Sequence, residues 1–522
     1  MFGRMLRLML ATLCLSGCGS SDPVGGSGSS PDEGGGEVAW DRSCDLAPFP
    51  SLRWEQCEIA NFAKQLEAPT EALNPVFAQR LLAQNLTNTA ELLARAADDP
   101  SWLGLPSGNL PVLPYCAPFA AVCTGDPFRY PQAVGPDGDA FYRNEADVIP
   151  VVFYDRDCTR LSGRVWAPRN SPAPASLPHV VIANGSLGAS ETAYWWASQA
   201  LVRGGYAVMT FDPRGQGRSD FLSPSGQLGT NANLKVFWDE MVDAIDFFHS
   251  TPQQLYPHNQ TCAGTYPTTV APFNPVWNRI DRERLGIAGH SAGAVAVSVV
   301  QGYGAPGADP WPGKLDASNP VKVGVAWDSL IAPDATGLAP CTNSLPVPPG
   351  LCGLLVQAVI TQGNLPKFGP RVPAMSFNAD YALVWDTPYV LPPDAEGHKG
   401  PYKLWQTDGV PVYSLGFQGT THEDYSPIPA MTATSWCPDT TTGACRGGYA
   451  QPAIVHYTLA WFDRWLKQPG EPGYADADAR LLDDGGPQGA DKLSFRYRSA
   501  RDFPDRSGRR QRCEDIRGGC KE

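Results

Sequence analysis

The chain has 522 residues, enough for a large buried core built around one sheet or divided among several domains. Hydrophobic residues make up 43% and charged residues 18%, an ordinary globular balance, while 53 glycines and 51 prolines imply long surface loops. A formal net charge of −13 with no basic stripe argues against a nucleic-acid partner, because phosphate binding needs a cationic surface that releases counterions.

At the N-terminus, Arg4 and Arg7 precede a short apolar run over 8–15, and Leu15-Ser16-Gly17-Cys18 follows. The run is too short to span a bilayer. The pattern resembles a bacterial lipoprotein signal. That resemblance implies a signal peptide over 1–17 and a lipid on Cys18 that anchors an exported chain to the membrane of the cell envelope, at the outer membrane or cell surface. The Gly/Ser-rich stretch 18–39 then reads as a flexible tether. The competing reading is an ordinary secretory signal with a coincidental cysteine. Fourteen cysteines fit an oxidising compartment, where thiols pair. Setting aside Cys14 and Cys18 leaves an even set, in which near neighbours suggest Cys44–Cys57, Cys116–Cys123, Cys341–Cys352, Cys437–Cys445 and Cys513–Cys520. Cys158 and Cys262 are left for each other, although spacing alone does not determine connectivity. No Cys-x-x-Cys or tight Cys/His cluster occurs, so no metal is expected.

The stretch 40–147 reads as an N-terminal extension. Within it, Pro75 at a helix start and Phe77, Leu81, Leu82, Leu86, Leu92 and Leu93 predict an amphipathic helix over 74–98. The segment 100–146 has no period and reads as chain wrapped on the body. From 148 the pattern becomes regular. Extended stretches over 148–154 and 161–167 suggest an antiparallel opening pair, and unbroken apolar runs at 180–183, 206–211, 285–288, 321–327, 374–377 and 412–415 follow. Such runs mark parallel strands covered by helices on both faces. Helices are expected at 191–203, 234–249, with Phe237, Met241, Ala244, Ile245 and Phe248 on one face, 294–300 and 453–466. The order predicts a doubly wound, mostly parallel α/β sheet over 148–467. Excursions at about 251–278 and 331–370 are expected to rim the carboxyl edge of the sheet, where such folds build their sites. Residues 468–522 read as a tail with a cysteine pair.

Gly289-His290-Ser291-Ala292-Gly293 lies between an apolar strand and a small-residue helix, the setting in which G-x-S-x-G forms a nucleophile elbow. Ser291 is therefore the candidate nucleophile. Its base belongs after the last strand, where His422 stands in Gly419-Thr420-Thr421-His422-Glu423. His398 precedes that strand, and His456 lies within the closing helix. The acid that orients the imidazole is open between Asp328 and Asp380, both of which end strands; the one not used would serve as a loop or helix cap. The backbone N–H of Ala292 supplies one oxyanion donor. The second is expected from Asn184-Gly185-Ser186-Leu187-Gly188, with Ser186 first and Leu187 next. The run Asp212-Pro213-Arg214-Gly215-Gln216-Gly217 lacks both the dinucleotide fingerprint and the P-loop lysine, so it reads as a tight turn beside the site.

At these residues the chain resembles the α/β-hydrolase superfamily over 148–467. Asn184-Gly185-Ser186-Leu187-Gly188-Ala189, Ala326-Trp327-Asp328 and Asn378-Ala379-Asp380-Tyr381 resemble the platelet-activating-factor acetylhydrolase and bacterial polyester-hydrolase branches, which are dienelactone-hydrolase-like. The resemblance implies ester hydrolysis with no metal or organic cofactor, on a small-molecule or lipid-like ester. Those families carry His-Gly or Pro-Gly where this chain has Asn184-Gly185. They also disagree about the acid: the acetylhydrolase counterpart of Asp328 is catalytic, whereas the polyester-hydrolase acid would align nearer Ala382 than Asp380. That mismatch favours Asp328. Cys513-Glu514-Asp515-Ile516-Arg517-Gly518-Gly519-Cys520 resembles the tail of a group of exported bacterial hydrolases and names no substrate. The rival functions are an exported serine aminopeptidase, which needs a carboxylate such as Asp239, Glu240 or Asp243 at the site, and a catalytically inactive surface binding protein on the same scaffold.

Overall fold

The structure, a computed structural model, describes residues 44–45, 47–63, 93, 97–98, 141–171, 174–186, 190–217, 219–220, 222–229, 233–266, 268–333, 365–381, 394–426 and 450–520. Its strands are β1 (Ala146–Tyr154), β2 (Arg160–Pro168), β3 (Leu177–Ala183), β4 (Ala207–Phe211), β5 (Ile280–His290), β6 (Val321–Trp327), β7 (Ala374–Asn378), β8 (Val412–Gly416), β9 (Ala500–Pro504) and β10 (Arg510–Cys513). They form one sheet in the order β1-β2-β4-β3-β5-β6-β7-β8-β9-β10. From β4 through β8 every pairing is parallel, flanked by the antiparallel β1–β2 and β9–β10 hairpins. The fold is a doubly wound, mostly parallel α/β sheet, as expected.

The helices are α1 (Leu52–Ala63), α2 (Trp195–Arg203), α3 (Lys235–His249), α4 (Pro257–Thr261), α5 (Ala292–Gly302), α6 (Gly400–Thr407), α7 (Ala450–Leu466) and α8 (Ala477–Leu482). All side chains of β3, β4, β7 and β8 are buried, as expected for strands covered on both faces. The expected apolar face of α3, from Phe237 to Phe248, packs into this core at 0% exposure. Reversal of strand order between β4-β3 and β5 brings the carboxyl ends of β3 and β5 together, the place where open α/β sheets hold their sites.

Two regions differ from expectation. The excursion 251–278 reaches the carboxyl side of the sheet only at its β1 margin, away from β3 and β5, where Cys262 is bonded to Cys158 in the β1–β2 turn. It begins below α3 and covers the outer edge of β1, where Tyr154 N–H donates to Asn259 Oδ1 at 2.8 Å and Ala271 N–H to the Val152 carbonyl at 2.8 Å. The open edge of β1 would otherwise expose unpaired backbone groups. The tail supplies β9 and β10, so the sheet extends past the expected last strand. The second excursion, 331–370, is described only over 331–333 and 365–370. Cys44–Cys57, Cys158–Cys262 and Cys513–Cys520 are disulfide-linked. Cys18, Cys116, Cys123, Cys341, Cys352, Cys437, Cys445 and nearly all of the helix expected over 74–98 lie outside the described residues.

Candidate active site

The turn between β5 and α5 is built from the sequence Gly289-His290-Ser291-Ala292-Gly293. Ser291 takes φ 56° and ψ −117°, a left-handed conformation that costs an L-residue energy and is held by its surroundings. Its N–H donates to the Trp327 carbonyl at 3.0 Å, and its own carbonyl accepts from Ala294 and Val295 at 2.9 and 3.1 Å. Both glycines are required by space. A Cβ on residue 289 would lie 2.3 Å from the Gly293 carbonyl oxygen, and one on residue 293 would lie 2.4 Å from that of Ala183. Ser291 and Ala292 remain half-buried.

After β8 the chain turns into a short 3-10 helix, His422–Tyr425. His422 Nδ1 lies 2.6 Å from Asp328 Oδ2, and the other oxygen, Oδ1, accepts the Ala379 N–H at 3.0 Å. Asp328 directly follows β6, the neighbour of β5. Burial pushes its carboxyl upward, but the His422 hydrogen bond and charge, with the Ala379 N–H, prevail and hold it below the usual carboxylate range. The side chain of His422 is 23% exposed and that of Asp328 is 7% exposed, so the imidazole faces the open side and the acid lies behind it.

Asp380 stands elsewhere. Its Oδ2 accepts from Asn61 Nδ2 at 3.0 Å and Gly419 N–H at 2.9 Å, and its Oδ1 from Ser494 Oγ at 2.6 Å. The Asp380 carbonyl accepts from Arg496 Nη1 at 2.8 Å. The aspartate thus joins α1, the loop before His422 and the tail. Of the two remaining candidate histidines, His398 is half-buried and stacked on Tyr497 at 3.8 Å between centroids, and His456 Nε2 bonds the Arg480 carbonyl at 3.1 Å.

The loop after β3 runs against the elbow. A Cβ on Gly185 would lie 3.3 Å from Ser291 Cβ, 3.1 Å from Tyr194 Oη and 3.0 Å from His290 Nδ1, so only glycine fits without displacing a neighbour. Gln216 Nε2 donates to the Gly185 carbonyl at 3.1 Å, and Asn184 Nδ2 donates to Asp212 Oδ1 at 3.1 Å. The turn after β4 therefore braces this loop. Ser186 is half-buried, and Leu187 lies outside the described residues. Ala292 N–H opens α5, where an amide has no intrahelical acceptor. Among the described residues no cluster of His, Cys, Asp and Glu could hold a metal ion.

No family model matches the chain, and no curated protein does. Solved structures similar to it include the acylaminoacyl peptidase of Pyrococcus horikoshii, at 14% identity and a TM-score of 0.36, covering 65% of this chain and 45% of that one. The chain thus spans under half the length of that peptidase. An esterase of Rhizomucor miehei is similar at 15% identity and a TM-score of 0.37, covering 61% of this chain and 83% of that one. The esterase Est22 is similar at 14% identity and a TM-score of 0.37, covering 71% and 92%.

Sequence reasoning missed three residues that contact this site. Gln216 was visible as a polar residue in the turn after β4, but nothing local indicated its reach to Gly185. Tyr194 looked like one residue of a longer helix; it ends a 3-10 turn, Glu191–Tyr194, that precedes α2. His290 was in plain view inside the elbow motif, although the motif leaves that position open.

Proposed function

We propose that this chain is a serine hydrolase that cleaves carboxylic esters through an acyl-enzyme, with Ser291 as nucleophile, His422 as general base and Asp328 as the orienting acid. The 2.6 Å contact between Asp328 and His422, beside the Ser291 elbow, carries the reading. With its Nδ1–H donating to the Asp328 carboxylate, the neutral imidazole presents a bare Nε2 that takes the Ser291 proton as Oγ bonds to the ester carbonyl carbon. The resulting oxyanion is held by the backbone N–H groups of Ala292 and Ser186. The tetrahedral intermediate expels the alcohol, which leaves with the proton from Nε2. Water repeats the sequence on the acyl-enzyme, returning Ser291 and releasing the acid.

Ester rather than aminopeptidase activity is favoured by where the candidate carboxylates point. Asp243 pairs with Arg156 at 2.8 Å and Asp239 with Arg156 at 3.4 Å, while Glu240 is buried against the Arg214 N–H at 2.7 Å. Carboxylates engaged by arginines are poor receptors for a substrate ammonium. Export and lipid anchoring through Cys18 belong to the same proposal and rest on the N-terminal pattern.

A fluorophosphonate probe should label the purified wild type and not Ser291→Ala. His422→Ala should lose turnover of p-nitrophenyl esters by roughly three orders of magnitude or more. A parallel panel of aminoacyl p-nitroanilides should be turned over poorly. Undiminished ester turnover in Ser291→Ala would remove the assignment, and preference for the anilides would move it to a peptidase.

A further inference from the structure

We propose that Tyr194 and His290 are positioning residues, linked in a hydrogen-bond relay that holds the oxyanion loop at a set distance from the loop carrying the base. The inference rests on the roles given above to Ser291 and His422. Its ends determine its polarity. The His422 carbonyl oxygen can only accept, so His290 Nε2, 2.9 Å away, carries a proton. The His290 ring is buried, and burial together with the neighbouring His422 ring holds it well below the ordinary histidine range, so it is neutral. Its Nδ1 is then bare and accepts the Tyr194 hydroxyl proton across 2.8 Å. At the far end the Gly185 N–H can only donate, and it does so to Tyr194 Oη at 2.8 Å.

The relay therefore has one orientation: Gly185 N–H to Tyr194 Oη–H to His290 Nδ1, and His290 Nε2–H to the His422 carbonyl. Each group offers what its neighbour lacks, and bonds in such a chain strengthen one another in a dry interior. The two ends are the chemically relevant loops. Gly185 immediately precedes Ser186, the proposed second oxyanion donor, and His422 is the proposed base. The Tyr194 ring is held against Trp327 at 6.5 Å between centroids with a 4° interplanar angle, next to Asp328. His290 lies 4.5 Å from the His422 ring, centroid to centroid. A second imidazolium there would oppose the one formed on His422 during acyl transfer. Donation from Tyr194 occupies the only site at which His290 could take up a proton.

The test uses the full chain, with kcat on a p-nitrophenyl ester expressed per fluorophosphonate-labelled Ser291. Tyr194→Phe and His290→Phe should each lower kcat by about 10- to 100-fold, with KM within about threefold of wild type. Tyr194→Phe/His290→Phe should be little worse than His290→Phe alone, because the second change breaks a relay already broken. His290→Gln, which keeps one acceptor and one donor, should recover most of the loss. A role confined to packing would lower the melting temperature and leave kcat per labelled site unchanged. Should Tyr194→Phe not be recovered folded, the His290 pair decides: equal kcat in His290→Gln and His290→Phe overturns the relay. A labelled wild type with undiminished kcat in the relay variants overturns the relay alone. A wild type that Ser291→Ala leaves equally active overturns the serine assignment and the relay with it.

Discussion

Replacing Asp328 by asparagine changes one atom and, through it, the tautomer of His422. Asp328 Oδ1 accepts the Ala379 N–H at 3.0 Å, so the asparagine must keep its oxygen there and turn its Nδ2 toward His422. A donor now faces Nδ1, across a gap of 2.6 Å in the wild type. The ring answers by moving its proton to Nε2, where it can no longer take the Ser291 proton. In Ser-His-Asp systems this error costs on the order of 10⁴ in kcat, about 5.4 kcal/mol of transition-state stabilisation. Asp380→Asn sets an amide against the donors on Asn61, Gly419 and Ser494, and the loss there is one of stability, about 1–3 kcal/mol. Ester turnover per labelled Ser291, measured beside thermal melting, separates the two. Asp328→Asn is expected to melt near the wild type with kcat reduced by about 10⁴, and Asp380→Asn to melt a few degrees lower with kcat within about tenfold. The reverse ranking in two folded proteins would refute the assignment and give the acid to Asp380.

Glu58 on α1 is pushed up to about 7, because burial outweighs the Arg496 guanidinium and Asp380 adds repulsion. Its folded pKa lies above the unfolded value of about 4.5, so the stability it contributes is present below pH 4.5 and lost as pH rises through 7. Amide exchange in α1, corrected for intrinsic rates, should be faster at pH 8 than at pH 5.5 in the wild type and alike at both in Glu58→Gln; equal protection in the wild type would disprove the link. Metabolic labelling with a radioactive fatty acid should mark the wild type and not Cys18→Ala, and equal labelling of the two would end the lipid-anchor proposal.

The parallel strands were legible because burial on both faces leaves unbroken apolar runs, and β6 was expected at its observed bounds, Val321–Trp327. The elbow was legible because steric demand writes two glycines around one serine. The strands of the tail were not. In β9 the run Ala500-Arg501-Asp502-Phe503 is buried despite two charges, which are neutralised by partners outside the strand: Asp484 for Arg501, Arg510 for Asp502. α1 escaped for the same reason, since its polar residues Glu58 and Asn61 are held by Arg496, Tyr381 and Asp380, more than 300 residues away. Apart from the resemblance, which favours Asp328, the residues left Asp328 and Asp380 open because each follows a buried strand, and nothing local records which strand lies beside β5.

Sheet register separates those two aspartates. His290 pairs with Trp327 across β5 and β6, so the next residues, Ser291 and Asp328, leave the sheet at the same height. Trp327 in turn pairs with Phe377 on β7, which puts Asn378, not Asp380, level with Asp328. Asp380 lies two residues further on, where its N–H donates to the Thr420 carbonyl at 3.0 Å and its carboxylate takes the Gly419 N–H. It holds the stem of the loop rather than the imidazole. His422 itself is tied at both backbone groups: its N–H donates to the Tyr381 carbonyl at 3.1 Å, and its carbonyl accepts from His290. One tie leads through Tyr381 to α1, where the Tyr381 hydroxyl donates to Glu58 Oε2 at 3.0 Å, and the other leads through Tyr194 to Gly185. The backbone of His422 is thereby held between the N-terminal extension and the loop at Gly185, while its ring bonds Asp328. A disturbance in α1 would have to pass through Tyr381 or through Asp380 to reach the ring, whereas a break at Tyr194 acts on the loop beside Ser291 directly.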